Sequence, residues 1–169
     1  MADYTRALDL NPKFLDARRH RAAARVLTRD WTGALEDYRR VCDLSEFDDQ
    51  YPHLFIWAVR ARLGETVDAD KELADYLGQH RKTTPRGWIS SLADYVLGDI
   101  SEHDLLVAAS SPPINADRLC NAWFFIGIKK VVAGDNDAAA DDFRKCIATK
   151  SKGWSAYTFA QTELKALAR

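Results

Sequence analysis

The stretch "RDWTGALEDY" at residues 29–38 is written a second time, with substitutions, as "GDNDAAADDF" at residues 134–143. In both, an Asp (Asp30, Asp135) is followed four residues on by Ala (Ala34, Ala139) and then by an aromatic ring (Tyr38, Phe143), and the copies lie 105 residues apart. A phrase repeated at that distance is read first as an internal repeat, because a missed period misassigns the whole fold. Extending it both ways gives a half unit at 1–13, full units at 15–48, 50–83, 84–118 and 120–152, and a last helix at 154–168. The distance of 105 residues is then three units of 35.

Each full unit has one plan: a helix, a short break and a second helix. The breaks read "TRDW", "LGET", "LGDI" and "AGDN". Gly64, Gly98 and Gly134 suit the left-handed residue that ends a helix, and Asp99, Asp135 or Thr66 suits the start of the next. "SEHD" at 101–104 predicts a capping box, with Ser101 as cap and Asp104 reaching back. Alternating strand patterns bounded by turn residues are missing, so the chain is expected to be all-α.

A two-helix period near 34 residues resembles the tetratricopeptide repeat family. Its marks are Ala34, Tyr38 and Leu44 in "DWTGALEDYRRVCDL", and Tyr4, Ala7, Leu8 and Pro12 in "YTRALDLNP". Trp123, Gly127, Ala139, Phe143 and Ile147 mark the unit from Cys120, and Ala69 and Leu73 the unit from Gln50. Arg18, Arg21, Arg25 and Lys130 depart from the pattern, standing where the family places apolar, small or aromatic residues. The resemblance implies a right-handed superhelical solenoid with a C-terminal capping helix, "SAYTFAQTELKALAR", and a protein-binding role. From Tyr51 onward, "FIWAVRARLG", "GWISSLADYVLGDIS" and "AWFFIGIKKVVAGD" are similar to the C-terminal half of NlpI-type bacterial lipoproteins. Those proteins are envelope adaptors that gather peptidoglycan hydrolases and synthases and can dimerise. Because the chain opens inside a repeat, the resemblance also implies the C-terminal part of a longer array.

By the family's register, the first helix of each unit lines a concave groove. Steps of three, four and three select Asp16, Arg19, Ala23 and Val26, then Tyr51, Leu54, Ala58 and Ala61. They go on to Pro85, Trp88, Leu92 and Tyr95, and to Asn121, Phe124, Ile128 and Val131. The expected partner-binding residues are Arg19, Tyr51, Leu54, Trp88, Leu92, Tyr95, Phe124 and Ile128. An apolar groove with aromatic anchors suits an amphipathic helix or apolar peptide. Arg19 as its single cation disfavours the family branch that grips C-terminal carboxylates.

Two other readings stay open. One is a self-association module, giving a homodimer. The other is an anion or nucleic-acid site on the helix face of Arg18, Arg21, Arg25 and Arg29, weighed against a solvated face balanced by Asp16, Asp30, Glu36 and Asp37. The net charge of −1 and the lack of rings among these arginines disfavour nucleic acid.

No catalytic residue, metal ligand or cofactor is expected. The chain has no P-loop, GxGxxG, GxSxG or HExxH, and His20, His53, His80 and His103 fall in different units. Asp48–Asp49 is expected in a loop and Asp141–Asp142 on a helix surface, where neighbouring residues do not converge. Cys42, Cys120 and Cys146 read as small apolar residues on helices, and unpaired thiols favour a reducing compartment. No run approaches the ~18 apolar residues of a membrane span, so the chain itself is not expected to insert. Cytoplasm and bacterial envelope both stay open as locations.

Overall fold

The computed structural model describes residues 1–45, 49–80, 87–112, 115–153 and 155–168. Asp48, Thr84, Pro85 and Trp154, used in the repeat and groove assignments, lie outside these residues. Among the described residues there are ten helices and no strand. In chain order they are α1 (Ala2–Leu10), α2 (Leu15–Leu27), α3 (Trp31–Leu44), α4 (Gln50–Arg62), α5 (Thr66–His80), α6 (Trp88–Leu97), α7 (Glu102–Ser110), α8 (Ala116–Val132), α9 (Asn136–Ala148) and α10 (Ser155–Leu167). The chain divides into two compact units, Met1–Leu73 and Ala74–Arg169.

The turns inside the hairpins follow one rule. Gly64, Gly98 and Gly134 take φ of 83°, 87° and 83°, and Arg29 takes 61° at the same place in its turn. The amide of the next residue then reaches back to a carbonyl five positions earlier. Asp30 N donates to Arg25 O (2.9 Å), Glu65 N to Arg60 O (3.0 Å), Asp99 N to Asp94 O (2.8 Å) and Asp135 N to Lys130 O (2.9 Å). These bonds satisfy carbonyls that a helix end would otherwise orphan. The following helix is capped by side chains: Asp30 accepts from Gly33 N, Asp135 from Ala138 N, and Ser101 with Asp104 forms the expected capping box.

In the first unit α1 packs on α2, α2 on α3 and α3 on α4. Ala22 and Ala34, both without exposure, let α2 and α3 approach closely. Tyr38 stacks on Phe55 at 5.5 Å between ring centres, and Trp57 Nε1 donates to Asp70 Oδ1 at 2.7 Å, tying α4 to the start of α5.

In the second unit α6 packs on α7 and α8, α8 on α7 and α9, and α10 on α8 and α9. Phe124 joins α8 to α9 and α10, lying 5.1 Å from Phe125, 6.3 Å from Phe143 and 6.0 Å from Phe159 between ring centres. Gly127 is needed at the α8–α9 crossing. A Cβ there would sit 2.5 Å from the Phe143 ring.

Candidate functional site

The most organised polar feature of the fold is a clasp across the hairpins. Asp37 on α3 is fully buried. Arg21 on α2 grips it with two bonds, Nε to Oδ2 at 2.8 Å and Nη2 to Oδ1 at 2.7 Å. Arg25 Nη1 reaches Oδ2 at 2.8 Å and also the Gly33 carbonyl, while Arg18 Nη1 lies 3.2 Å from Oδ1. The Arg21 guanidinium is held above its ordinary value chiefly by its hydrogen bond to Asp37, against the cost of burial. The basic stripe expected on α2 is therefore turned toward one carboxylate; Arg29 lies beyond it, over the Trp31 ring at 5.9 Å.

The same device recurs. Lys130 Nζ on α8 meets the buried Asp142 on α9, which also receives Lys145 Nζ at 2.8 Å. Arg60 on α4 meets Glu72 on α5 at 2.7 Å. Arg25–Asp37, Arg60–Glu72 and Lys130–Asp142 each span 12 residues and begin four residues before the turn residue with positive φ. Sequence reasoning missed this pattern, although a cation followed twelve residues later by an acid was visible at the repeat period. It also misplaced Asp142. Asp141 is exposed but Asp142 is buried, because successive helix positions point about 100° apart. Lys130 is the cation of the third clasp.

The expected groove residues fall into two sets. Leu54 and Leu92 have no exposure, and Ile128, Phe124 and Tyr95 are buried. Arg19, Tyr51 and Trp88 keep part of their surface. Lys129 Nζ lies 4.7 Å from the Tyr95 ring centre and donates to the Tyr95 carbonyl at 2.9 Å.

Within the first unit, Arg19 borders an open hollow of about 660 Å³ with Asn11, Lys13, Phe14, Asp16 and Asp49 on its walls. Arg19 Nη2 donates to Asp49 Oδ2 at 2.7 Å, and both side chains remain partly open to solvent. Asp49 also caps α4 by accepting from Tyr51 N, so one carboxylate ties the hollow to the helix that carries Tyr51. The large exposed ring of Phe14 stands beside it. Such a surface offers one exposed ring and one ion pair in an open hollow, which suits a peptide segment more than a small enclosed ligand.

The histidines do not gather. His20 stacks on Tyr4, and His80 Nδ1 lies 2.8 Å from the Tyr76 carbonyl. Among the described residues no group of three or more His, Cys, Asp or Glu side chains is placed to hold a metal, and no helix is long and apolar enough to cross a membrane.

No family model matches the chain. It is similar to a curated protein described as a lipoprotein NlpI homolog, from Haemophilus influenzae. The two are 27% identical over an alignment of 199 positions, gaps included, which covers 98% of this chain and 63% of that protein. The chain thus spans about 63% of the length of that relative.

Proposed function

We propose that this chain is a non-catalytic adaptor of the tetratricopeptide type that holds a protein partner in a bacterial envelope. The observation that carries the reading is the similarity, along 98% of the chain, to a lipoprotein NlpI homolog. The clasped hairpins support it. Three hairpins that share one turn geometry and one ion-pair spacing are consistent with a repeat of one structural unit. Rigid hairpins suit binding because little ordering entropy is lost when a partner docks.

The partner surface proposed in the first unit is the hollow of Phe14, Arg19 and Asp49 together with Tyr51. In the second unit Trp88 is the corresponding candidate. Leu54, Leu92, Tyr95, Phe124 and Ile128 act behind these residues, as the packing that fixes their helices. An anion at Arg18, Arg21 and Arg25 would have to displace the buried Asp37 carboxylate; the adaptor reading asks for no such exchange.

The resemblance to NlpI-type lipoproteins gives the partner class to try, an envelope peptidoglycan hydrolase. Calorimetric titration of a purified hydrolase into the chain should give saturable binding. Arg19→Glu with Tyr51→Ala should weaken it about tenfold or more, with helicity unchanged. Unchanged affinity in that variant would remove the proposed surface, and no binding by any envelope hydrolase tried would remove the partner class.

A further inference from the structure

Cys120 on α8 and Cys146 on α9 are both fully buried, and their sulfurs lie 3.2 Å apart. That distance is a thiol–thiol contact, roughly 1 Å longer than a covalent S–S bond. The repeat supplies a control. Positions 105 residues earlier are Leu15 and Val41, and Val41 is fully buried like Cys146. The buried Cys146 position is thus filled by an aliphatic side chain in the earlier hairpin, so packing alone does not call for sulfur there. Cys42 stands apart, with a thiol pushed up to about 12 mainly by burial.

We infer that Cys120 and Cys146 form a dithiol that closes into a disulfide linking α8 to α9 when a low-molecular-weight disulfide is supplied. Cys120 is the first nucleophile: the 3.2 Å contact between the sulfurs holds the Cys120 thiol below its ordinary value and pushes the Cys146 thiol up. The Cys120 thiolate attacks the donor disulfide, breaking its S–S bond and releasing one donor thiol. The Cys146 sulfur then attacks the Cys120 sulfur of the mixed disulfide and displaces the second donor thiol. The protein dithiol loses two electrons, the donor disulfide gains them, and both protons leave on the donor thiols.

Access sets when this happens. The Ala156 carbonyl on α10 sits 3.7 Å from the Cys146 sulfur, so the docked α10 covers Cys146. The exchange takes place while α10 is undocked from the paired α8 and α9 helices.

The test is refolding of the full chain from denaturant, with reduced or with oxidised glutathione. The oxidised sample should lose about 2 Da, yield one peptide pair linking Cys120 to Cys146, and keep Cys42 as a thiol. Its melting midpoint should rise by roughly 5 °C or more, since the link closes a loop within the unfolded chain. The double variant Cys120→Leu with Cys146→Val, which copies the earlier hairpin, should show neither the mass loss nor the shift. Retention of all thiols, a stable glutathione adduct, a link through Cys42, or the same shift in the double variant would each overturn the inference. Should that variant not fold, the thiol count and peptide map of the natural chain still decide it.

Discussion

Lys130 at the end of α8 lies 2.5 Å from the buried carboxylate of Asp142 on α9, across a hairpin and 12 residues away. Arg25 and Asp37 repeat the relationship at 2.8 Å in the first unit. Both carboxylates have no exposure, so neither can turn to water if its cations are removed. Asp37→Ala would remove the buried carboxylate on which Arg18, Arg21 and Arg25 converge, leaving Arg25 only its outer pairs with Asp30 and Glu36, and should cost ~3–5 kcal/mol in urea unfolding. Asp142→Ala should cost less, ~1–3 kcal/mol, because the half-exposed Lys145 can swing to solvent. A loss near zero for Asp37→Ala would show that the clasp does not hold α2 to α3.

The Arg60–Glu72 clasp is more open and should show itself through pH. Burial pushes the Glu72 carboxyl up, but hydrogen bonds from Arg39 and Arg60 outweigh it and hold the group below its ordinary value of 4.5. A folded-state value below the unfolded one gives stability that is present above that ordinary value and is lost as pH falls through the depressed one. Urea midpoints between pH 3 and 5 should therefore drop less steeply in Glu72→Gln than in the natural chain. Equal slopes would contradict the assignment.

Gly127 and Phe143 make a packing prediction. An added methyl at 127 would sit 2.5 Å from the Phe143 ring, so Gly127→Ala should cost ~1–3 kcal/mol. Adding Phe143→Leu to that variant should lose less than the sum of the two single changes. Strict additivity in a double-mutant cycle would mean the ring and the glycine do not share the site.

Arg29 takes the turn conformation that glycine takes in the other hairpins, with φ of 61°. Arg29→Gly should relieve a cost of ~1–2 kcal/mol in the fold, offset in part by the greater freedom of the unfolded chain. A net gain of about 0.5–1 kcal/mol is expected, and Gly134→Ala should lose about 1 kcal/mol. Thermal unfolding of the two variants checks both signs.

The helices and their turns were legible because their signals are local. Gly64, Gly98 and Gly134 end helices by their lack of a Cβ, and Ser101 with Asp104 caps one by side-chain chemistry within four residues. Ala34 and Ala139 were legible as helix-packing positions because each is followed four residues on by a ring, Tyr38 or Phe143, and all four are buried. The clasps were missed because a charge on a helix looks solvated until its partner on the next helix is placed, as Arg21 and Asp37 show. Phe124 and Leu54 carried the same ambiguity. Ring and aliphatic side chains at groove positions of a repeat also serve its interior, and both are buried.

Light scattering on the chain mixed with a purified envelope peptidoglycan hydrolase tests the adaptor account most directly. The account predicts a stable species whose mass is the sum of chain and partner in a fixed ratio, with no chemical change in the partner. Two species eluting at their separate masses, or a chain that only pairs with itself and leaves every hydrolase free, would contradict it.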